Sequence, residues 1–361
     1  MTPRRVLMTT DAVGGVWTYS LELARGLSDA GVEVMLVVIG PPPSQMQRAD
    51  AIAVRGLILL VPGLPLEWQD RDGPLDLPAR QRLQRLARAF EPDLIHCNGF
   101  REAAVGFEPP VVVTAHSCVG TWWRACRDAE LPPEWSAYAD GLRAGLAAAS
   151  VVVAPSEAFL GDFATTWGPV ARSRVIHNGL DIEADHPGRR RRIVLAAGRL
   201  WDEAKNVATI AAIAPELPWP VRLAGEASPH EAGSAPQSGR LERKDLLTAM
   251  AEAAIFAAPA RYEPFGLAIL EAAQSGCALV LGDIPSLREL WGDAARFVPP
   301  GDPRALHGAL LELIADAAAL GRAQAAARRR GRHFSRRRMV GCYLELYGDV
   351  LARGRIGDRA A

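Results

Sequence analysis

The feature that most constrains this chain is a repeated alternation. Short, nearly continuous apolar runs rich in β-branched residues are separated by longer amphipathic stretches. Strands are predicted at Arg5–Thr9, Glu33–Ile39, Leu57–Val61, Asp93–Cys97, Val111–Ala115, Val151–Ala154 and Arg174–His177. A second series follows at Arg192–Ala197, Val221–Ala224, Ala254–Ala258 and Ala278–Gly282. A strand that is apolar at almost every position is buried on both faces, as parallel strands covered by helices are. The stretches between read as helices. Val16, Tyr19, Leu23 and Leu27 share one helical face, and Gly31 follows soon after. This pattern predicts an α/β fold with parallel sheets.

The alternation restarts near residue 192. Just before it, Asp181–Arg189 is polar and carries Pro187 and Gly188, which reads as a linker. A chain of 361 residues also suits two domains better than one. The expected division is an N-terminal domain at 1–183 and a C-terminal domain at 190–334. Hydrophobic residues make up 49%, enough for two sizeable cores and too many for a disordered chain. Lys plus Arg is 41 and Asp plus Glu is 41, so bulk attraction to nucleic acid is not expected. The five cysteines include no C-x-x-C pair, and neither an apolar h-region nor a cleavage site follows Met1. No apolar run is long enough to cross a bilayer. The expectation is a reducing, cytoplasmic setting.

Chemistry concentrates in a few segments. Ala258–Cys277 follows one predicted strand and opens a predicted helix, with Pro264 expected in the first turn. Phe265, Gly266 and Leu267 would then present backbone N–H groups at a helix start, a ready anion site. Glu263 and Glu271 flank it. A carboxylate can hold the vicinal hydroxyls of a ribose; equally, Glu263 can cap the helix and Glu271 can be solvated. Arg199 and Lys205 follow the first strand of the second series, where open α/β sheets bind ligands. They read either as a diphosphate clamp or as two solvated cations. Asp11-Ala-Val-Gly14-Gly15 joins the first strand to the first helix and is not the G-x-G-x-x-G of dinucleotide enzymes. Trp122 and Trp123 read as an aromatic acceptor platform or as core packing.

The segment Glu263-Pro-Phe-Gly-Leu-Ala-Ile-Leu-Glu271 resembles the E-P-F-G-x-x-x-x-E motif of glycosyltransferase family four. Gly276–Pro285 with Glu289, Val298-Pro-Pro-Gly-Asp302, Gly198-Arg-Leu200 and Lys205-Asn206 extend the resemblance over nearly the whole chain. It implies a GT-B fold, two Rossmann-like domains facing across a cleft, with a last helix at about 335–352 packed back onto the N-terminal domain. It also implies a retaining, metal-independent transferase moving a sugar from a nucleotide-diphosphate donor, UDP- or GDP-linked, to a hydroxyl acceptor. By this resemblance the N-terminal domain takes the acceptor and the C-terminal domain the donor. Glu271 binds the ribose, while Glu263, Phe265, Gly266 and Leu267 face the donor sugar and distal phosphate. Arg199 and Lys205 hold the diphosphate, Gly15 with Gly14 lines the cleft, and His116 lies near the donor sugar. The family's T-x-H-D has Ser117 in place of its aspartate here. His177-Asn-Gly-Leu-Asp181 resembles the N-G-x-D that closes the N-terminal domain.

Two features lie outside that pattern. Asp70-Arg71-Asp72 spells a D-x-D metal motif in a polar loop without strand context, so no catalytic metal is expected. Arginines at 189–192, 328–330 and 336–338 read as solvated helix faces, or as contacts for anionic lipid at the inner face of a membrane. No cofactor beyond the co-substrate is implied, and no signal marks the oligomeric state. Two other readings share the scaffold: a sugar phosphorylase, and a non-catalytic subunit that binds sugar nucleotide or glycan.

Overall fold

The computed structural model describes residues 2–69, 73–182, 190–225, 239 and 241–357. Asp70, Arg71 and Asp72 and most of the expected linker lie outside the described residues. The chain divides into two compact units. The first takes in Met1–Trp123, Ala129–Gly179 and Arg336–Ala361; the second takes in Arg124–Asp128 and Leu180–Ser335.

The first unit holds a seven-stranded sheet: β1 (Arg5–Thr10), β2 (Glu33–Ile39), β3 (Ile58–Leu64), β4 (Leu94–Cys97), β5 (Val111–Thr114), β6 (Val151–Ala154) and β7 (Ser173–Val175). Their order is β3-β2-β1-β4-β5-β6-β7. All pairs are parallel. The second unit holds β8 (Arg191–Ala197), β9 (Val221–Ala224), β10 (Ala253–Ala258), β11 (Ala278–Gly282) and β12 (Arg296–Val298). These run in the order β12-β11-β10-β8-β9, again all parallel. Two doubly wound α/β sheets of this kind make a GT-B fold. Two strands differ from expectation. β12 is three residues long and offers too short an apolar run to read. β3 continues through Pro62 and Gly63, which a ladder tolerates because β3 is an edge strand and Pro62 needs no partner on its open side.

Strand alternation divides the second unit's core between the two faces of its sheet. Ile193 and Leu195 pack with Phe256, Leu270 and Trp291 on one face of the second sheet. Val194 packs with Ile255, Leu306 and Leu310 on the other. In both sheets the chain winds outward from the first strand and then returns to its other side. The strand order therefore reverses between β1 and β4, and again between β8 and β10. Such a reversal opens a crevice at the carboxyl ends of the strands.

The last helix, Arg336–Gly357, joins the first unit and packs on the helix Gly15–Asp29. Its buried face carries Met339, Val340, Tyr343, Leu346 and Tyr347, with Leu344 to one side. Gly26 has no side chain because Val340 fills that space. Two tyrosines of this helix enter a buried polar network. The Tyr347 hydroxyl lies 2.5 Å from His96 Nδ1, and Thr114 Oγ1 lies 2.8 Å from His96 Nε2. Tyr343 Oη is 3.0 Å from Thr114 Oγ1. Each imidazole nitrogen thus meets a hydroxyl that can donate or accept, as full burial requires.

The arginine clusters are partly absorbed by the fold. Arg190 Nη1 donates to the carbonyls of Met250, Ala251 and Ala253, at 2.8–3.2 Å, and its Nη2 donates to Ser275 O. It thereby closes the ends of the helices Arg243–Glu252 and Leu267–Ser275. Arg330 donates to Leu290 O and Glu289 O, and Arg336 pairs with buried Glu22 at 2.5 Å. These three are not solvated side chains. Among the described residues no helix is long and apolar enough to cross a membrane.

Burial lowers the pKa of His96 to about 3, and that of His116 likewise to about 3. An unfolded histidine titrates near 6.5, so folding favours the neutral rings. Their contribution is fully present above about pH 6.5 and is lost as pH falls towards 3. Each ring adds up to about 1.4 kcal/mol per pH unit of slope. Urea melts from pH 7 to 5 should show stability falling with pH. His96→Gln should remove about one proton of that dependence, whatever it does to the midpoint.

Candidate active site

In the second unit the site grows from the loop after β8. Asp202 caps the short turn Glu203–Lys205, accepting from the Ala204 N–H at 3.0 Å. Its other oxygen accepts from Arg199 Nη2 at 2.7 Å. Asn206 closes the turn in the left-handed region, with φ +53°. Its Nδ2 donates to Pro259 O at 2.9 Å and to Pro300 O, and its Oδ1 accepts from the Thr209 hydroxyl at 2.8 Å. The Arg261 N–H donates to Ala204 O at 2.8 Å. The loops after β8, β10 and β12 are thereby stitched together.

That stitching brings Lys205 to Glu263. Lys205 Nζ and Glu263 Oε2 are 2.5 Å apart, and both side chains are largely sheltered. Ser286 Oγ donates to Glu263 O at 2.6 Å and steadies the loop from the next helix. Arg199 turns instead to Asp202 and lies over the Trp201 ring, 5.4 Å from its centroid.

The helix after this loop begins later than expected. It spans Leu267–Ser275, with Gly266 as its cap at φ +84°. Pro264 and Phe265 lie before it, so Pro264 is not in the first turn. Gly266 is the reason: its left-handed backbone turns the chain into the helix, and Leu270 N–H donates to Gly266 O at 3.0 Å. The N–H groups of Leu267, Ala268 and Ile269 head the helix, where no intrahelical carbonyl can reach them. The Phe265 side chain is 4% exposed and meets Phe334 edge-on, so it anchors the loop in the core. The helix cap is Gly266, and the Glu263 carboxylate pairs with Lys205 instead. Glu271 is not solvated: it is 6% exposed, and its Oε1 accepts from Arg243 Nε at 3.1 Å.

In the first unit, Asp11 Oδ1 accepts from Val13 N–H at 2.8 Å and shapes the turn into the helix Gly15–Asp29. Gly14 and Gly15 are exposed there, and a side chain on Gly14 would meet no protein atom within 4 Å. His116, just past β5, is half-buried, and its Nε2 lies 2.9 Å from Asn98 Oδ1. Trp122 and Trp123 are half-buried on the helix Val119–Arg127, their rings edge to face at 5.8 Å, so neither is a core side chain.

Arg199, Lys205, Glu263 and Phe265–Leu267 therefore gather at the β8/β10 reversal, with Glu271 on the following helix. Gly15 follows β1, at the reversal of the first sheet, while His116 and the tryptophans follow β5. Residues the sequence did not mark are Arg243, Asp202 and Asn98. Lys205-Asn206 was a visible pair, but Arg243 carries no local pattern at all. Among the described residues no cluster of three metal-ligating side chains occurs.

The family model for Glycosyltransferase Family 4 matches residues 13–184, and that for Glycosyl transferases group 1 matches residues 191–316. The chain belongs to glycosyltransferase family 4. A phosphatidyl-myo-inositol mannosyltransferase of Mycolicibacterium smegmatis is 25% identical to this glycosyltransferase over 339 residues, covering 85% of the chain and 82% of that protein. A D-inositol 3-phosphate glycosyltransferase of Salinispora tropica is 26% identical over 422 residues, covering 97% and 84%. Among solved structures, sucrose-phosphate synthase from Thermosynechococcus elongatus superposes with TM-score 0.76 at 19% identity, covering 97% of this chain and 100% of that one. Anabaena HepE in complex with UDP and glucose gives 0.74 at 18% identity, covering 96% and 99%. The structures share the GT-B fold with this glycosyltransferase.

A Cβ at Gly266 would come within 2.7 Å of Ile269 Cδ1 in a left-handed backbone. Gly266→Ala should therefore destabilise the protein by about 1–2 kcal/mol or more, read as a lower urea midpoint.

Proposed function

We propose that this glycosyltransferase moves a sugar from a nucleotide-diphosphate sugar to a hydroxyl acceptor, with retention at the anomeric carbon and without a metal ion. The observation that carries the reading is the Lys205–Glu263 pair beside the head of the helix Leu267–Ser275, at the reversal between β8 and β10. A diphosphate needs fixed positive charge and unpaired N–H groups, and this crevice has both. The second unit is the donor unit, and the first, with the last helix, serves the acceptor. The HepE complex with UDP and glucose supports a nucleotide-sugar donor on this fold.

Bond breaking to the diphosphate is the hard step, since negative charge grows on the leaving oxygen. Arg199, Lys205 and the N–H groups of Gly266 and Leu267 are oriented before reaction and so lose little energy in reorganising. Lys205 shares its charge with Glu263 until phosphate arrives. The Glu263 carboxylate then faces the positive charge that develops on the sugar ring. The acceptor hydroxyl attacks from the leaving-group face and passes its proton to the departing phosphate, which requires no protein base. Glu271, held by Arg243, accepts from the ribose hydroxyls. The exposed backbone at Gly14 and Gly15 lets a sugar or phosphate approach, and among the described residues nothing lies within 4 Å of where a Gly14 side chain would be. His116 lies near the donor sugar, and Trp122 and Trp123 offer half-exposed ring faces to an acceptor. We place the enzyme in the cytoplasm. Its exposed arginines, Arg192 and Arg329 in the second unit and Arg337 in the first, are candidates for contact with anionic lipid.

UDP or GDP at a hundredfold over its dissociation constant should add about 2.7 kcal/mol of stability, and the shift identifies the base. Product formation should persist in excess chelator; loss that magnesium or manganese restores would overturn the metal-free step. The two glutamates should separate. Glu271→Ala should raise the donor KM about tenfold with kcat little changed, because ribose contacts act equally in ground and transition states. Glu263→Gln removes the counter-charge of Lys205. Diphosphate affinity by calorimetry should hold or rise while turnover falls about 100-fold. Wild-type turnover in Glu263→Gln would take that residue out of the chemistry.

A further inference from the structure

The loop after β4 carries an asparagine whose amide orientation is settled by its neighbours. Asn98 Nδ2 donates to the carbonyl of Thr9 at 2.7 Å and to Ser20 Oγ at 3.1 Å. Its own N–H donates to Thr9 Oγ1 at 3.0 Å. Thr9 O can only accept, so the amide nitrogen must face it, and the amide oxygen must face His116 Nε2, 2.9 Å away. An oxygen acceptor there requires Nε2 to carry the proton. The Tyr19 ring packs edge-on against the imidazole, with centroids 4.4 Å apart, and limits its rotation. Tyr19 is itself held in the buried network, its hydroxyl 3.4 Å from His96 Nε2. His116 is half-buried, and its Nδ1 has no protein partner among the described residues.

The geometry points to Asn98 as a positioning residue: it holds His116 as the neutral Nε2–H tautomer, so that Nδ1 serves as a hydrogen-bond acceptor for a sugar hydroxyl. This rests on the proposal that His116 lies near the donor sugar. An acceptor nitrogen takes a proton donor and repels a phosphate oxygen, so His116 reads a hydroxyl and leaves the diphosphate to the second unit. The groups around the ring fit a neutral state, since Tyr19, His96 and Asn98 bring no negative charge that would favour a second proton on it. Burial keeps the ring uncharged through the physiological range.

Nitrogen-15 NMR of the histidine side chains tests the tautomer on the whole protein, with His116 assigned by its loss in His116→Ala. Wild type should show protonated Nε2, bare Nδ1 and no titration from pH 5 to 8. Asn98→Ala should give mixed tautomers. Asn98→Asp, nearly isosteric, should bring the His116 titration into that range by placing a carboxylate at Nε2. It also serves where the alanine variant does not fold. A wild-type ring protonated at Nδ1, or a tautomer unchanged in Asn98→Ala, overturns the proposal. Nucleoside diphosphate release from UDP-glucose and GDP-mannose supplies the second readout. His116→Ala and Asn98→Ala should each lower kcat about tenfold, with the double variant no worse than His116→Ala. The expected tautomer together with wild-type kcat in His116→Ala would overturn the assignment of Nδ1 to a sugar hydroxyl. That failure would fall on the placement of His116 near the donor sugar, and the diphosphate contacts of the second unit would stand.

Discussion

Asn206 is the constraint on which the second unit's site depends. Its amide nitrogen ties the loop after β8 to the ends of β10 and β12, and its amide oxygen accepts from Thr209 in the helix that follows. A left-handed backbone at a residue other than glycine costs energy, and these bonds offset it. With the loop so tied, the Lys205 ammonium group reaches Glu263. The ion pair follows from backbone placement and does not create it. Because the tie is made of neutral hydrogen bonds, it does not depend on the Lys205–Glu263 ion pair.

The two units solve the same problem with different chemistry. Both open a crevice where strand order reverses, because parallel strands align their carboxyl ends on one edge. In the second unit that edge carries charge: Arg199, Lys205, Glu263, and the buried Arg243–Glu271 pair. In the first, the groups proposed at the sugar, Gly14, Gly15, Asn98 and His116, are uncharged, and the Asp11 carboxylate shapes the turn beside them. Charge suits a diphosphate that leaves as an anion. Neutral donors and acceptors suit hydroxyls. The division of labour in the proposed reaction is written in these two edges.

The last helix gives the first unit part of its core. Tyr343 and Tyr347 satisfy His96 and Thr114 inside the sheet, so the polar interior of the first unit is completed by residues about 230–250 positions away in sequence. Removing that helix would expose apolar surface and leave buried polar groups unpaired, which costs more than either alone.

How much of this was legible depends on the range of each interaction. Strand positions followed from local burial: a run such as Val111–Thr114 is apolar because helices cover both its faces, and that leaves a direct mark on the sequence. β12 left too short a mark. Gly266 and the glutamates beside it stood out because their spacing is local and resembles a known family's motif. The helix start did not, because Pro264 satisfies the rules for a first turn while the left-handed turn at Gly266 moves the start to Leu267. Arg190 looked like one of a run of surface cations, yet it closes two helix ends at once, a role set by elements 60 and more residues away. Arg243 on Glu271 and Asn98 on His116 are likewise contacts between distant segments with no periodicity to betray them. The sequence alone thus determined the α/β class, the parallel sheets and the family. The tertiary structure decided which charge meets which partner, and which tautomer a histidine holds, because those depend on distances between atoms that chain order does not encode.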